Sequence, residues 1–463
     1  MVFLLILLLV GVLANFSSIR TQFRALRKEK GNALWLWVLF FIAILNIGKN
    51  ESEDIVAGNV FQLAMVFIIS LCVISLILVR LNRVLIKISA PVVFLMVYAC
   101  TGIISGAYSP FPAFSVYKAS LIMLSLFALL LSMSYGSPYY SARRLININL
   151  AFFFVLVLSG IIGAIIDPGR ATEYRSGMVF GMLKGWLVVI NANSLAVCAG
   201  VVALFALNRF IGRPVIRQKL LYGALFATNF ATMLFAQSRT CVVAFMVALL
   251  IVFSRKRFKY LLIGLFIAVP LIGIYDTTSF EEGMGKYFRR GQSERQFRSW
   301  SGRLTAWEYS WDKFKESPVL GYGMEAGVRF GAVSKELQGS HLHSSYFETL
   351  INSGLIGFIP WLVCLVIVAK GMIATFAFFP KWFDTTMRDY HTELTAIFVF
   401  LLVRTFAGTT FVRFDYLFMM YLALIGYVFA VKRPEKREEP APAAALNPAL
   451  TYQVQARSQE KIK

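Results

Sequence analysis

The stretch from Leu220 to Phe253, LLYGALFATNFATMLFAQSRTCVVAFMVALLIVF, decides how this chain folds. Its single charged residue is Arg239. A helix rises 1.5 Å per residue, so about 20 apolar residues cross a hydrocarbon core about 30 Å thick. The stretch therefore predicts two membrane-spanning helices, 220–236 and 240–253, with a tight turn at Arg239. One bent helix is the alternative interpretation of the same residues.

The composition of the whole chain indicates a helical membrane protein. Of 463 residues, 58% are hydrophobic and only 15% are charged, and the mean hydropathy is +0.69. This composition excludes a soluble enzyme, a fibrous protein and a disordered chain. The five cysteines lie within apolar runs and form no CxxC motif, so they are expected to be small core residues.

Apolar runs of spanning length recur along the sequence, and they predict an all-α polytopic bundle of about 12 or 13 transmembrane helices. The runs are 1–16, 33–48, 55–79, 88–107, 118–135, 147–166, 185–207, 220–236, 240–253, 260–275, 349–369, 393–412 and 414–431. Whether the first run spans the membrane is left open, and no other loop changes side if it does not.

The net charge of +22 is explained by the loops between these runs. Basic residues concentrate in cytoplasmic loops, so the charge predicts orientation and not binding to nucleic acid. The basic clusters are Arg20 to Lys30, Arg80 to Lys87, Arg143 with Arg144, Arg209 to Lys219, Arg255 to Lys259 and Lys432 to Arg437. With thirteen spans all of them fall on one side. One bent helix at 220–253 would move the last two clusters outside, which favours two helices.

This orientation divides the chain into four predicted parts. Residues 1–275 and 349–431 are two sets of transmembrane helices, and 432–463 is a flexible cytoplasmic tail. Residues 276–348 form one long loop on the opposite side from the basic clusters. Such a long loop is predicted to be functional, because most connections are much shorter.

A helix is predicted inside the long loop, between Ser301 and Pro318. Leu304, Trp307, Trp311 and Phe314 recur at helical spacing and form one apolar stripe. The stripe either lies in the membrane interface or packs on the transmembrane bundle. Both alternatives bring Arg303 close to the membrane surface.

Two histidines close the long loop, in Ser340-His-Leu-His-Ser344. His343 is predicted at the membrane-proximal start of the next helix, as a general base or as a structural histidine. His341 and His343 could also hold a metal, but the loop offers no cysteine and no further histidine, so no metal site or cofactor is predicted.

Placing the charged side chain of an arginine at mid-bilayer costs about 2.5–3.5 kcal/mol of free energy. A favourable interaction must therefore offset this cost for Arg239. Its side chain either snorkels to lipid phosphates or holds an anionic substrate group, most simply a phosphate. The interiors of the apolar runs contain no acidic residue, and Glu348, Glu393 and Asp415 are expected at their ends. This pattern argues against a proton-coupled transporter.

Three stretches together resemble one family, the O-antigen ligase/polymerase superfamily of bacterial envelope glycosyltransferases. The stretches are Gln237-Ser-Arg-Thr240; Gly302-Arg303 with Trp307, Pro318 and Gly321-Tyr-Gly323; and His343-Ser-Ser-Tyr-Phe347 with Leu350, Gly354 and Gly357. Their order around one large loop is similar as well. Ser344 stands where the family usually has Asn after the histidine.

The resemblance implies an enzyme of the bacterial inner membrane whose active site faces the periplasm. It would transfer a glycan from a polyprenyl-pyrophosphate carrier, usually undecaprenyl, by a metal-independent inverting reaction. In this interpretation Arg239 and Arg303 hold the pyrophosphate and His343 is the general base. The residues expected to bind substrate are Arg175, Tyr346, His341 and Trp307.

The resemblance leaves the acceptor open. A polymerase would add O-antigen or exopolysaccharide repeat units to a lipid-linked glycan, and this is the preferred interpretation. A ligase would move finished glycan to lipid A-core, and a polysaccharide or lipid transporter is the third possibility. A flippase and a chain-length regulator would be partners of a polymerase, together with membrane lipids.

Overall fold

The structure is a computed structural model that describes ten segments of the chain. They are residues 34–44, 60–85, 87–134, 137–174, 181–188, 190–212, 215–256, 303–329, 342–381 and 383–432. The predicted apolar runs 1–16 and 260–275, the first part of the long loop and the tail lie outside them. In the described segments nearly all regular structure is helical, which confirms the all-α prediction.

Fourteen helices are numbered here in chain order over the described segments. They are α1 Leu34–Ile44, α2 Val60–Leu85, α3 Ala90–Ile104, α4 Pro112–Met133, α5 Pro138–Ile166, α6 Pro168–Ala171, α7 Ala192–Gly212, α8 Ile216–Phe235, α9 Arg239–Lys256, α10 Arg303–Glu316, α11 Ala326–Arg329, α12 Ser345–Ala377, α13 Thr385–Arg404 and α14 Tyr416–Lys432. One short antiparallel ladder joins β1 Thr172–Glu173 to β2 Met182–Leu183.

Six described helices are long and apolar enough to cross a membrane, so the protein is a polytopic helical membrane protein. They are α2, α3, α4, α5, α7 and α12, and shorter apolar helices are found within α1, α9 and α14. Eleven of the thirteen predicted runs coincide with a described helix. The sides of the membrane stay a prediction.

The turn at Arg239 is confirmed as a break between two helices. α8 ends at Phe235 and α9 begins at Arg239. Gln237 between them has a φ of 52°, in the left-handed region that ends a helix. The interpretation as one bent helix is therefore wrong.

Three predicted boundaries differ from the structure. α5 begins at Pro138 and not near 147, because proline suits the first helical turn, so Arg143 and Arg144 lie in a helix. Residues 181–188 precede α7 as strand and loop. α13 runs from Thr385 to Arg404, so Glu393 is buried inside a helix and is not at its end.

Helix α7 lies at the centre of the described bundle. Small side chains fill it, with Ala196, Ala199, Ala203 and Ala206 fully buried. It packs against α5, α8, α9 and α13. Close helix contact through small residues is typical of membrane bundles, and it fixes α9 and α13 side by side.

Two glycine-bearing segments of the family motifs meet backbone to backbone. The N–H groups of Tyr322 and Gly323 donate to the carbonyls of Ile351 and Asn352 at 2.9 and 2.8 Å, and Leu355 N–H donates to Pro318 at 2.9 Å. The carbonyls are available because α12 is kinked at Gly354, whose φ is 54°. This junction anchors the residues after α10 on the start of α12.

We expect Gly354→Ala to destabilise this junction by about 1–3 kcal/mol, the usual cost of an unfavourable backbone conformation. Gly354 has a positive φ, and an added Cβ would overlap the backbone of Val319 and lie 2.7 Å from Gly321 N. Thermal unfolding of the detergent-solubilised protein measures the effect. Gly169→Ala is the matched control, because its Cβ meets only Asp167 Oδ1 at 3.7 Å. Equal melting temperatures for the two variants would contradict the close-approach argument.

Candidate functional site

Two of the predicted arginines begin helices. Arg239 is the first residue of α9 and Arg303 is the first residue of α10, and both side chains are partly buried. The N-terminus of a helix carries partial positive charge, which disfavours a cation and favours an anion. A negatively charged group bound between the guanidinium groups and the helix ends would therefore stabilise both arginines at these positions.

The two arginines are close enough to influence each other. Burial and, to a smaller extent, the positive charges of Arg239 and Arg404 together lower the pKa of Arg303 to about 10. The side chain still carries its charge at neutral pH. The structure thus brings three guanidinium groups into one electrostatic cluster, here called the arginine cluster: Arg239, Arg303 and Arg404.

Arg404 was missed by the sequence reasoning. It is the last residue of α13 and is 7% exposed. Its Nη1 donates to Thr410 Oγ1 at 2.8 Å, whereas its Nε has no hydrogen-bond acceptor among the described residues. The sequence signal was an arginine inside the apolar run 393–412, since buried cations in membrane segments mark functional sites.

The apolar run 393–412 predicts one helix, in which Arg404 is an interior residue and not the last residue of a helix. α13 ends at Arg404, and residues 405–415 form an irregular segment. Thr405 ends the helix by donating its hydroxyl to the Leu402 carbonyl at 2.6 Å. An arginine in the last turn interacts favourably with the negative end of the helix dipole, and the carboxylate of Asp415 is close enough to interact electrostatically with Arg404.

His343 lies two residues before the start of α12, near the helix start as predicted. Its side chain is exposed, its φ is 52°, and its neighbours Leu342 and Ser344 are buried. Trp307 of α10 donates its indole N–H to the Leu342 carbonyl at 2.8 Å. The backbone on one side of His343 is thus attached to the helix that Arg303 begins.

The other side of His343 is attached to the segment that follows Arg404. Ser345 N–H donates to the Thr405 carbonyl at 2.9 Å. The Ser345 hydroxyl donates to the Thr410 carbonyl at 2.8 Å and accepts from Thr410 N–H at 2.9 Å. Because Thr410 also binds Arg404, the start of α12 and the arginine cluster belong to one connected structure.

The apolar stripe of α10 divides between the two predicted environments. Trp307 stacks on Phe347 with ring centroids 5.4 Å apart, and it packs with Ala306, Leu342 and Ile351. Leu304 and Trp311 are 42% and 47% exposed. Half of the stripe therefore packs on α12, and the other half faces outward.

The residues predicted to bind substrate have different positions. The indole N–H of Trp307 already donates to a backbone carbonyl, so a substrate would contact the ring of Trp307 and not its N–H group. The hydroxyl oxygens of Tyr346 and Thr405 lie 3.1 Å apart, and the Tyr346 ring contacts the rings of Trp361 and Phe406. Arg175 and His341 lie outside the described residues.

Acidic side chains near the site are engaged in structural contacts. Asp415 accepts hydrogen bonds from the N–H groups of Leu417 and Phe418 at 2.9 and 2.8 Å, which caps α14. It also lies 3.5 Å from Arg413. Glu325 pairs with Lys118 at 3.4 Å. Over the described residues no three His, Cys, Asp or Glu side chains meet as a possible metal site.

The comparisons with known proteins point to one family. A family model described as O-antigen ligase matches residues 224–362. The match includes Arg239, Arg303 and His343, and Arg404 lies beyond it. A search of curated proteins gave no match. The resemblance carried by the three motifs is therefore confirmed: residues 224–362 are similar to the O-antigen ligase family, which supports the O-antigen ligase/polymerase superfamily.

Proposed function

We propose that the protein is a membrane glycosyltransferase that uses a polyprenyl-pyrophosphate-linked glycan as donor and a sugar hydroxyl as acceptor. The observation that carries the proposal is the arginine cluster. Three arginines whose positive charges act on one another form a site for a multiply charged anion. The lipid pyrophosphate of the family's donor is such an anion.

The chemistry of transfer fits these residues. The acceptor oxygen forms a bond to the anomeric carbon while the bond from that carbon to the pyrophosphate oxygen breaks. The bonding electrons leave with the pyrophosphate, and preorganised cations stabilise that charge. His343 accepts the proton of the acceptor hydroxyl. A single displacement of this kind inverts the anomeric configuration and assigns no step to a metal.

The different exposure of His343 and of the arginine cluster supports different roles for them. The exposed His343 is open to an acceptor that arrives from the aqueous side, whereas the arginines are partly or fully buried. The predicted orientation puts this face in the periplasm of a bacterial inner-membrane protein. We assign Trp307 and Tyr346 to the walls of the substrate site.

We propose polymerisation of O-antigen or exopolysaccharide repeat units as the role of this enzyme. The description of the matched family favours a second role, ligation of finished glycan to lipid A-core. Purified protein in lipid nanodiscs, supplied with lipid-linked repeat units, distinguishes the two. A ladder of lengthened glycans supports the polymerase, and transfer only when lipid A-core is added supports the ligase. No transfer to either acceptor contradicts the proposal and favours a transporter.

In this assay we expect alanine at Arg239, Arg303 or Arg404 to lower the transfer rate by about 100-fold or more, since each removes a charge from the leaving-group site. Lysine at the same positions should restore part of the rate, because it keeps the charge and loses the bidentate geometry. Arg170→Ala is the control, because Arg170 is 82% exposed and pairs only loosely with Asp167 at 3.9 Å. Full activity in a folded alanine variant would remove that arginine from the site.

His343→Ala should lower the rate by about 10²–10⁴-fold, the usual contribution of a general base. His341→Ala, two residues away, should leave most of the activity. A chelator in the same assay tests the alternative of a metal held by both histidines. Severe loss in both variants together with sensitivity to EDTA would replace the general base by a metal site.

A further inference from the structure

A polar cavity lies apart from the arginine cluster, between α5, α7 and α13. It has a volume of about 220 Å³. Its lining comprises Arg143, Asn208, Arg209, Gly212, Thr385, Thr386, Asp389, Tyr390 and Glu393. Glu393 and Arg404 are eleven residues apart on α13, so the cavity is about 17 Å from the arginine cluster along that helix. The predicted orientation puts it at the cytoplasmic ends of the helices.

Three buried oxygen atoms of the lining have no hydrogen-bond partner among the described residues. They are Asn208 Oδ1, Tyr390 Oη and Glu393 Oε1, on side chains that are 2%, 5% and 2% exposed. The Asn208 amide is oriented by its Nδ2, which donates to the Asp389 carbonyl at 3.0 Å. The other carboxylate oxygen of Glu393 pairs with Arg209 at 3.1 Å. All three atoms accept hydrogen bonds, so they are complementary to a group with several donors.

The charges of the lining are balanced. Arg143 and Arg209 oppose Asp389 and Glu393, and Arg209 and Glu393 already neutralise each other. The Arg143 guanidinium lies over the Tyr390 ring, 5.2 Å from its centroid. The exposed hydroxyls of Thr385 and Thr386 lie at the rim. A ligand with one positive and one negative group fits this lining better than a simple anion or a simple cation.

We propose that this cavity binds a phosphoethanolamine group. The primary ammonium provides three N–H donors, and a rearrangement of the lining side chains brings it to the three oxygens, which have almost no accessible surface in this structure. The phosphate then faces Arg143 and the two threonine hydroxyls, which are suitable phosphate partners. The group can come from an ethanolamine phospholipid of the membrane or from a soluble phosphoethanolamine, and both present the same chemistry.

Binding of short-chain lipids to the purified full-length protein tests this inference. Dihexanoyl phosphatidylethanolamine is compared with the choline and glycerol lipids of the same chains, and free phosphoethanolamine forms a fourth arm. We expect the ethanolamine lipid to bind about tenfold more tightly than the choline lipid, whose nitrogen has no N–H donor. Equal affinity for free phosphoethanolamine identifies a soluble source, and weaker affinity identifies the lipid.

Two conservative substitutions test whether the lipid binds in this cavity. Tyr390→Phe removes one acceptor and keeps the ring under Arg143, and Arg143→Gln removes the phosphate partner. Each should weaken binding of the ethanolamine lipid by about fivefold or more, with the melting temperature of the lipid-free protein as a check of folding. Arg217→Gln, an exposed position at the start of α8, is the control and should change nothing. Equal binding of the ethanolamine and choline lipids, or no effect of either substitution, overturns the inference in favour of a water-filled cavity.

Discussion

Repulsion among three arginines is the constraint on which the account of this protein depends. Arg239, Arg303 and Arg404 share one partly buried environment, in which burial and mutual repulsion both disfavour the charged form of Arg303. Such an arrangement lowers stability unless the surrounding structure holds it in place. The packing of α7 against α9 and α13, and the junction between Pro318 and Leu355, supply that support.

The hydrogen bonds around Ser345 explain how the general base and the cations come to belong to one site. Ser345 binds the segment that follows Arg404, and Trp307 binds the residue before His343. Parts of the chain that lie far apart in the sequence are thereby joined by hydrogen bonds to backbone groups. Small changes in these contacts are expected to alter catalysis without any change in a catalytic side chain.

Much of the fold could be predicted because membrane helices are encoded by long apolar runs. The break at Gln237 and the start of α12 near His343 also followed from the sequence, since polar residues interrupt the runs there. Arg404 could not be found in the same way. An arginine near the end of an apolar run looks like a snorkelling residue until the helix end at Thr405 and the hydrogen bond to Thr410 are seen.

The positions of Glu393 and of the glycines in the long loop could not be predicted from the sequence pattern either. Glu393 lay at the edge of an apolar run in the sequence, but the true start of α13 at Thr385 buries it next to Arg209. The close approach of Gly321 to Gly354 could not be predicted either, because contacts between distant segments depend on the kink in α12. The local sequence pattern thus predicted most of the helices. The arrangement of the candidate site depends on contacts between helices, which the sequence pattern does not show.

The most direct test of the arginine cluster is a cryo-electron microscopy structure of the full-length protein with an undecaprenyl-pyrophosphate-linked sugar analogue that cannot be transferred. We expect pyrophosphate density within hydrogen-bond distance of the guanidinium groups of Arg239 and Arg303, next to Arg404, with the anomeric carbon facing His343. Pyrophosphate bound elsewhere on the protein, with the three arginines paired to acidic side chains, would contradict it.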